Sequence, residues 1–137
     1  MNRYKMNMYD ANYRDNIIFN EKFNSSKYIG GIRNFTNVSL DNMITLIERG
    51  FANPSDKQND APSISEFCEF VKNHNPNNWY FHGYAVSPDR YDCRVSVEGI
   101  GSVHPLTSDD LVDFISLCKD ADDLICNKNN PVYCWYT

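Results

Sequence analysis

Apolar residues recur along the chain in short runs of two periods, broken by polar stretches rich in Asn, Asp and Pro. In "SLDNMITLIERG", residues 39–50, Leu40, Met43, Ile44 and Ile47 fall at helical spacing. Ser39 stands where an N-cap belongs and Gly50 just past the end, so the pattern predicts a helix over 39–49. "SISEFCEFVKNH" opens with Ser63 and Glu66 at capping-box spacing and continues with the stripe Phe67, Phe70 and Val71, which predicts a second helix over 63–74. "TSDDLVDFISLCKDADDL" predicts a third, 108–124. There Ser108 is the N-cap, Asp109 and Asp110 face the positive end of the dipole, and Leu111, Phe114, Ile115 and Cys118 form the buried stripe.

The period changes to two in "WYFHGYAVSPDRYDCRVSVEGI", residues 79–100. Tyr80, His82, Tyr84 and Val86 alternate with Phe81, Gly83 and Ala85; Cys93, Val95 and Val97 then alternate with Arg94, Ser96 and Glu98. Two strands follow, with a packed face and a wetter one, joined by a turn that Ser87 starts and Pro88 occupies at its second position. "VYCWY", 132–136, reads as a last strand, expected to pair with a hairpin that alone would be marginal in water. The expected architecture is α+β: a small antiparallel sheet (hairpin 79–99 plus strand 132–136) packed against helices 39–49, 63–74 and 108–124. "GG" at 30–31 is a breaker. It sets residues 1–35, a polar arm with one apolar knot "NIIFNEKF", apart from a single domain over 36–137.

Charge sharpens that division. Residues 1–37 hold six Lys/Arg against three acids, and residues 38–137 hold seven against fifteen, so a mildly basic arm precedes a strongly acidic body. Such a body repels phosphate and is drawn to basic surfaces, which argues against direct nucleic-acid binding by the acidic domain. The chain's 137 residues suffice for one ordinary core. No stretch approaches the ~20 apolar residues of a membrane span and "MNRYKMNMYD" lacks a secretory h-region, so a cytosolic protein is expected. Five cysteines without a C-x-x-C pair suit reduced, mostly buried thiols.

Candidate chemistry is sparse. His82 shares a strand face with Tyr80 and Tyr84, and Asp92 or Glu98 would be its acid–base partner, depending on register. A histidine on an aromatic face is more often a satisfied polar residue, and no catalytic residue is assigned. The aspartates of 107–124 repeat no metal-site spacing, and no phosphate-cradling glycine motif occurs, so neither a metal nor another cofactor is expected. Cys93 beside Arg94 is placed on the packed side by Val95 and Val97.

"SLDNMITLIERGF", "QNDAPSISEFCEFVKNH", "FHGYAVSPDRYDCRVSVEGI" and the closing "YCWYT", in that order, resemble a group of small uncharacterised accessory proteins of phages and integrative elements of low-GC Gram-positive bacteria. The resemblance covers residues 36–137 and rests mostly on turn and core residues, so it implies a common fold more firmly than a common function. It implies an accessory protein of a mobile element, similar in build to inhibitors of bacterial defence systems such as anti-CRISPR proteins. The corresponding expectation is a non-enzymatic protein that occupies a basic, nucleic-acid-handling surface, a CRISPR effector nuclease being the sharpest candidate. Asp109, Asp110, Asp113, Asp120, Asp122 and Asp123 supply its negative face, with Arg90 and Tyr91 as anchors at the hairpin tip. The alternative is a small-ligand module in which Tyr80, His82 and Tyr84 stack a nucleotide-like base and Arg94 pairs its phosphate. A small hydrolase using His82 is the third reading.

Overall fold

Side-chain caps set where three of the helices begin. In the computed structural model, which describes residues 4–137, the Ser39 hydroxyl accepts from Asn42 N–H at the start of α2 (Leu40–Glu48). Ser63 and Glu66 form a reciprocal capping box at the start of α3 (Ile64–Lys72). Thr107, one residue before the expected Ser108, caps α4 (Ser108–Leu117) by accepting from Asp110 N–H. A further helix, α1 (Ala11–Phe19), precedes them.

The strands are β1 (Ile32–Val38), β2 (Trp79–Val86), β3 (Val95–Ser102), β4 (Asp123–Ile125) and β5 (Tyr133–Trp135). They form one antiparallel sheet in the order β1-β2-β3-β5-β4. The fold is α+β, as the two periods predicted, and β5 pairs with the hairpin strand β3 at Gly101↔Tyr133. One sheet face carries Phe35, Phe81, Val95, Val97 and Ile100 into a core completed by Met43, Leu46, Phe67, Val71 and Phe114 from the helices. Phe70, Trp79 and Phe114 meet there as an aromatic trio, with ring centroids 5.3–6.2 Å apart.

Several expectations shift. Helix 108–124 stops at Leu117 because the Asp-rich run that follows turns back, Ala121 N–H bonding Cys118 O, and then enters β4, where Leu124 pairs with Cys134. The buried stripe of α2 is Leu40, Met43 and Leu46, with Ile44 at the rim, and in α4 Ile115 faces out. β3 begins at Val95 rather than Tyr91, because two successive turns, Arg90 N–H to Ser87 O and Cys93 N–H to Arg90 O, take up the hairpin tip. A bulge at Glu98 places Gly99 opposite His82 but Val97 opposite Gly83.

The division at residue 35 runs through β1, an edge strand paired with β2 over Ile32↔Val86 to Val38↔Phe81. The arm is also fastened by a polar knot. Arg14 on α1, only 1% exposed, bonds Asp15 (2.9 Å), Val86 O (2.8 Å), the Tyr28 hydroxyl (2.9 Å) and Cys93 Sγ (3.3 Å). Burial works against that guanidinium, but Asp15 and Tyr28 more than offset it and raise its pKa. Among the described residues no helix is long and apolar enough to cross a membrane.

Candidate functional site

The sheet face turned away from the helices carries a hollow of about 730 Å³. Its shape comes from glycines: β3 has Gly99 and Gly101 opposite His82 and Tyr80, so two large rings lie flat across the strand where a Cβ would collide with them. The Tyr80 ring covers Gly101, and the His82 ring crosses Gly99 so that its Nε2–H donates to Cys134 O at 2.7 Å. Tyr133 stacks on His82, with centroids 4.7 Å apart and planes 14° from parallel. Trp135 and Glu98 complete the wall, and Asn34 and Thr36 of β1 form the far rim.

The hollow is electronegative. Glu98 is its carboxylate; burial pushes the Glu98 pKa up, and the nearby Trp135 side chain partly offsets this. Burial, then Asp123, Tyr80 and Glu98 among the neighbouring groups, raises the Tyr133 phenol. Among the described residues no lysine or arginine lines the cavity. His82 is itself buried; burial lowers its pKa, and the bond to Cys134 O only partly opposes that shift. The wet aromatic face expected around His82 is therefore a packed neutral imidazole beneath Tyr133. Among the described residues no hydrogen bond joins it to Asp92 or Glu98, the carboxylates that a hydrolase reading requires.

The expected ligand face is divided in two. Tyr80 and His82 line the hollow, whereas Tyr84 and Arg94 belong to a polar cluster beyond it. There the Arg94 guanidinium donates to the Tyr84 hydroxyl (3.2 Å), the Ser96 hydroxyl (3.0 Å) and Asp92 (3.0 Å to its carbonyl, 3.2 Å to its carboxylate). At the tip, Arg90 is occupied by Asp92 and by Gly30 O, and its stem lies on Gly31, while Tyr91 is 94% exposed.

The acidic set lies mainly on the other side of the molecule. Asp109, Asp113, Asp120, Asp122 and Asp123 are exposed and Asp110 is half-buried. Val112 and Ile115 of α4 are exposed among the first of them. Asp122 accepts from Thr137 N–H, and Asp123, on β4, pairs with Trp135 at the margin of the hollow.

Sequence spacing alone missed one further grouping. His74, past the end of α3, brings its Nε2 to 2.9 Å from Asp113, and Asp110 stands close enough that one ligand atom from each residue falls within 4.8 Å of the others. These three are the residues that could hold a cation. In this structure they form an ion pair: His74 Nδ1–H donates to Phe70 O, leaving Nε2 for the carboxylate. Burial alone would lower the His74 pKa, but the Asp113 bond, the Phe70 carbonyl and the charge of Asp110 outweigh it and raise the value. Cys93 is raised by burial, and the cation opposing that shift is Arg14 rather than the neighbouring Arg94.

Comparison of the chain with protein-family models, with curated proteins and with solved structures returned no match. The class is therefore set by fold and surface alone: a small α+β protein with an acidic helix face and an aromatic hollow on its open sheet face.

Proposed function

We propose that the chain is a non-enzymatic accessory protein of a mobile element that binds and inhibits a nucleic-acid-handling bacterial defence protein, anti-CRISPR-like, by occupying its basic surface. The observation that carries this reading is the run from α4 to β4. Five of its aspartates stand exposed with Lys119 as the one cation among residues 107–125, and Val112 and Ile115 offer apolar contact between them. A channel that grips a nucleic-acid backbone presents lysines and arginines, and clustered carboxylates steer toward it and compete with phosphate.

The test is capture of purified CRISPR effector complexes by the tagged protein, with and without DNA. Capture that DNA competes away supports the reading. Asp109→Lys/Asp120→Lys, which removes no hydrogen bond of the fold, is expected to weaken capture by about tenfold or more and to steepen no salt dependence. Unchanged capture by that variant would sink the mechanism. The nucleotide-binding alternative is the less favoured, because among the described residues no cation lines the hollow that would stack a base, Arg94 being held elsewhere.

A further inference from the structure

We infer that the hollow on the open sheet face is the seat for an arginine side chain of the basic partner, a conclusion that rests on the proposed function and assigns its specificity to a second surface. The chemistry of the walls selects the ligand. Tyr80, Tyr133 and Trp135 line it with aromatic rings, Glu98 is the carboxylate among its lining residues, and Asp123 adds a negative charge at the margin. Aromatic rings around a carboxylate attract a cation and give an anion nothing to hold. A guanidinium suits this arrangement better than an ammonium, because it is planar, stacks on rings, is weakly hydrated and meets a carboxylate with paired donors.

The rings are also held in place before any ligand arrives. Tyr133 has one face stacked on His82, which is itself fixed by its bond to Cys134 O, and Tyr80 is laid over Gly101. Ordering them costs little at the moment of binding. A space of 730 Å³ exceeds one side chain and admits the arginine together with neighbouring backbone. Burial makes the free Glu98 carboxylate costly to charge, and an entering cation relieves that cost.

The experiment is a titration of the full chain with acetyl-Gly-Arg-Gly-amide, followed by the indole N–H signals in proton–nitrogen NMR spectra. Trp135 reports the hollow. Trp79, whose indole N–H donates to His74 O at 2.7 Å on the helix side, is the internal control. The citrulline counterpart of the peptide has nearly the same shape without the charge. The arginine peptide is expected to shift Trp135 and not Trp79, and the citrulline peptide to bind about three- to thirtyfold more weakly, the range that a cation over aromatic faces supports. Glu98→Gln, which keeps the size of the side chain, should reduce the binding.

No shift at Trp135, equal shifts with citrulline, or indifference to Glu98→Gln would overturn the assignment. Trp135 shifts that depend on protein concentration alone would seat a second copy there and overturn it as well. Asp109→Lys/Asp120→Lys separates the two conclusions: it should leave peptide binding intact while weakening effector capture. Peptide failure with that capture effect retained removes the hollow's role alone.

Discussion

Replacing Arg14 by methionine probes the fastening of the N-terminal segment most directly. The guanidinium is 1% exposed and its neighbour Asp15 is 0% exposed, with Arg14 and the Tyr28 hydroxyl as the partners of that carboxylate. Without the arginine the carboxylate is buried opposite no cation, and the bond to Val86 O is lost as well. Removing one partner of a buried ion pair costs about 3–5 kcal/mol, of which the bond to Val86 O accounts for about 1, so Arg14→Met should lose about that much at pH 7. Arg14→Met/Asp15→Asn removes the stranded charge and should recover much of the loss. Urea titrations of wild type and both variants at pH 7 measure these costs. A cost of the single variant below about 1 kcal/mol, or a double variant no more stable than the single one, would refute the reasoning.

Other outcomes follow from named groups. Gly99→Ala should cost about 2 kcal/mol or more in a urea titration, since its Cβ would meet Cys134 O and His82 Nε2, whereas Gly30→Ala meets no atom within 4 Å and bears only the strain of its φ of +61°; equal costs would contradict this. The histidines pull stability in opposite directions with pH. His82, lowered in the fold, gives a contribution present above about 6.5 and lost as pH falls; His74, raised, gives one present below about 6.5 and lost as pH rises through its folded value. His74→Gln should accordingly flatten the decline in Tm on the alkaline side, and parallel curves for variant and wild type would dismiss the ion pair as a contributor. Burial pushes the Cys68 thiol up to about 11. Iodoacetamide at pH 8 should then label Cys68 about 200-fold more slowly than an ordinary thiol, and labelling at the ordinary rate, followed by mass spectrometry, would show the site to be open.

Local signals made α2, α3 and the hairpin legible in the sequence. Ser39, Ser63 with Glu66, and the turn at Ser87–Pro88 act through atoms a few residues apart, and each is found doing so. The segments without such signals were missed. α1 has no side-chain cap and almost no amphipathic stripe, and its place is set by one arginine meeting residues more than seventy positions away. β1 is mostly polar, with its apolar residues Ile32, Phe35 and Val38 three apart rather than alternating, and it is a strand because β2 offers it an edge. The hollow was half legible. Tyr80 and His82 stood out, but Tyr133, Trp135 and Glu98 join them only through the β3–β5 pairing and the bulge, which no spacing along one strand reports.

The strand order also sets a timetable for folding. β2 and β3 meet across the tip at 87–94, whereas β1 reaches β2 only across residues 39–78 and β5 reaches β3 across 103–132. Loop closure favours the hairpin as the first piece, with both outer strands docking onto it later and the Arg14 knot among the last contacts made. Substitutions at Gly83 or Ala85 should then slow folding, while those at Arg14 should leave that rate nearly unchanged and hasten unfolding. On that timetable, the segment that ties the molecule together at the end is the one whose release opens it.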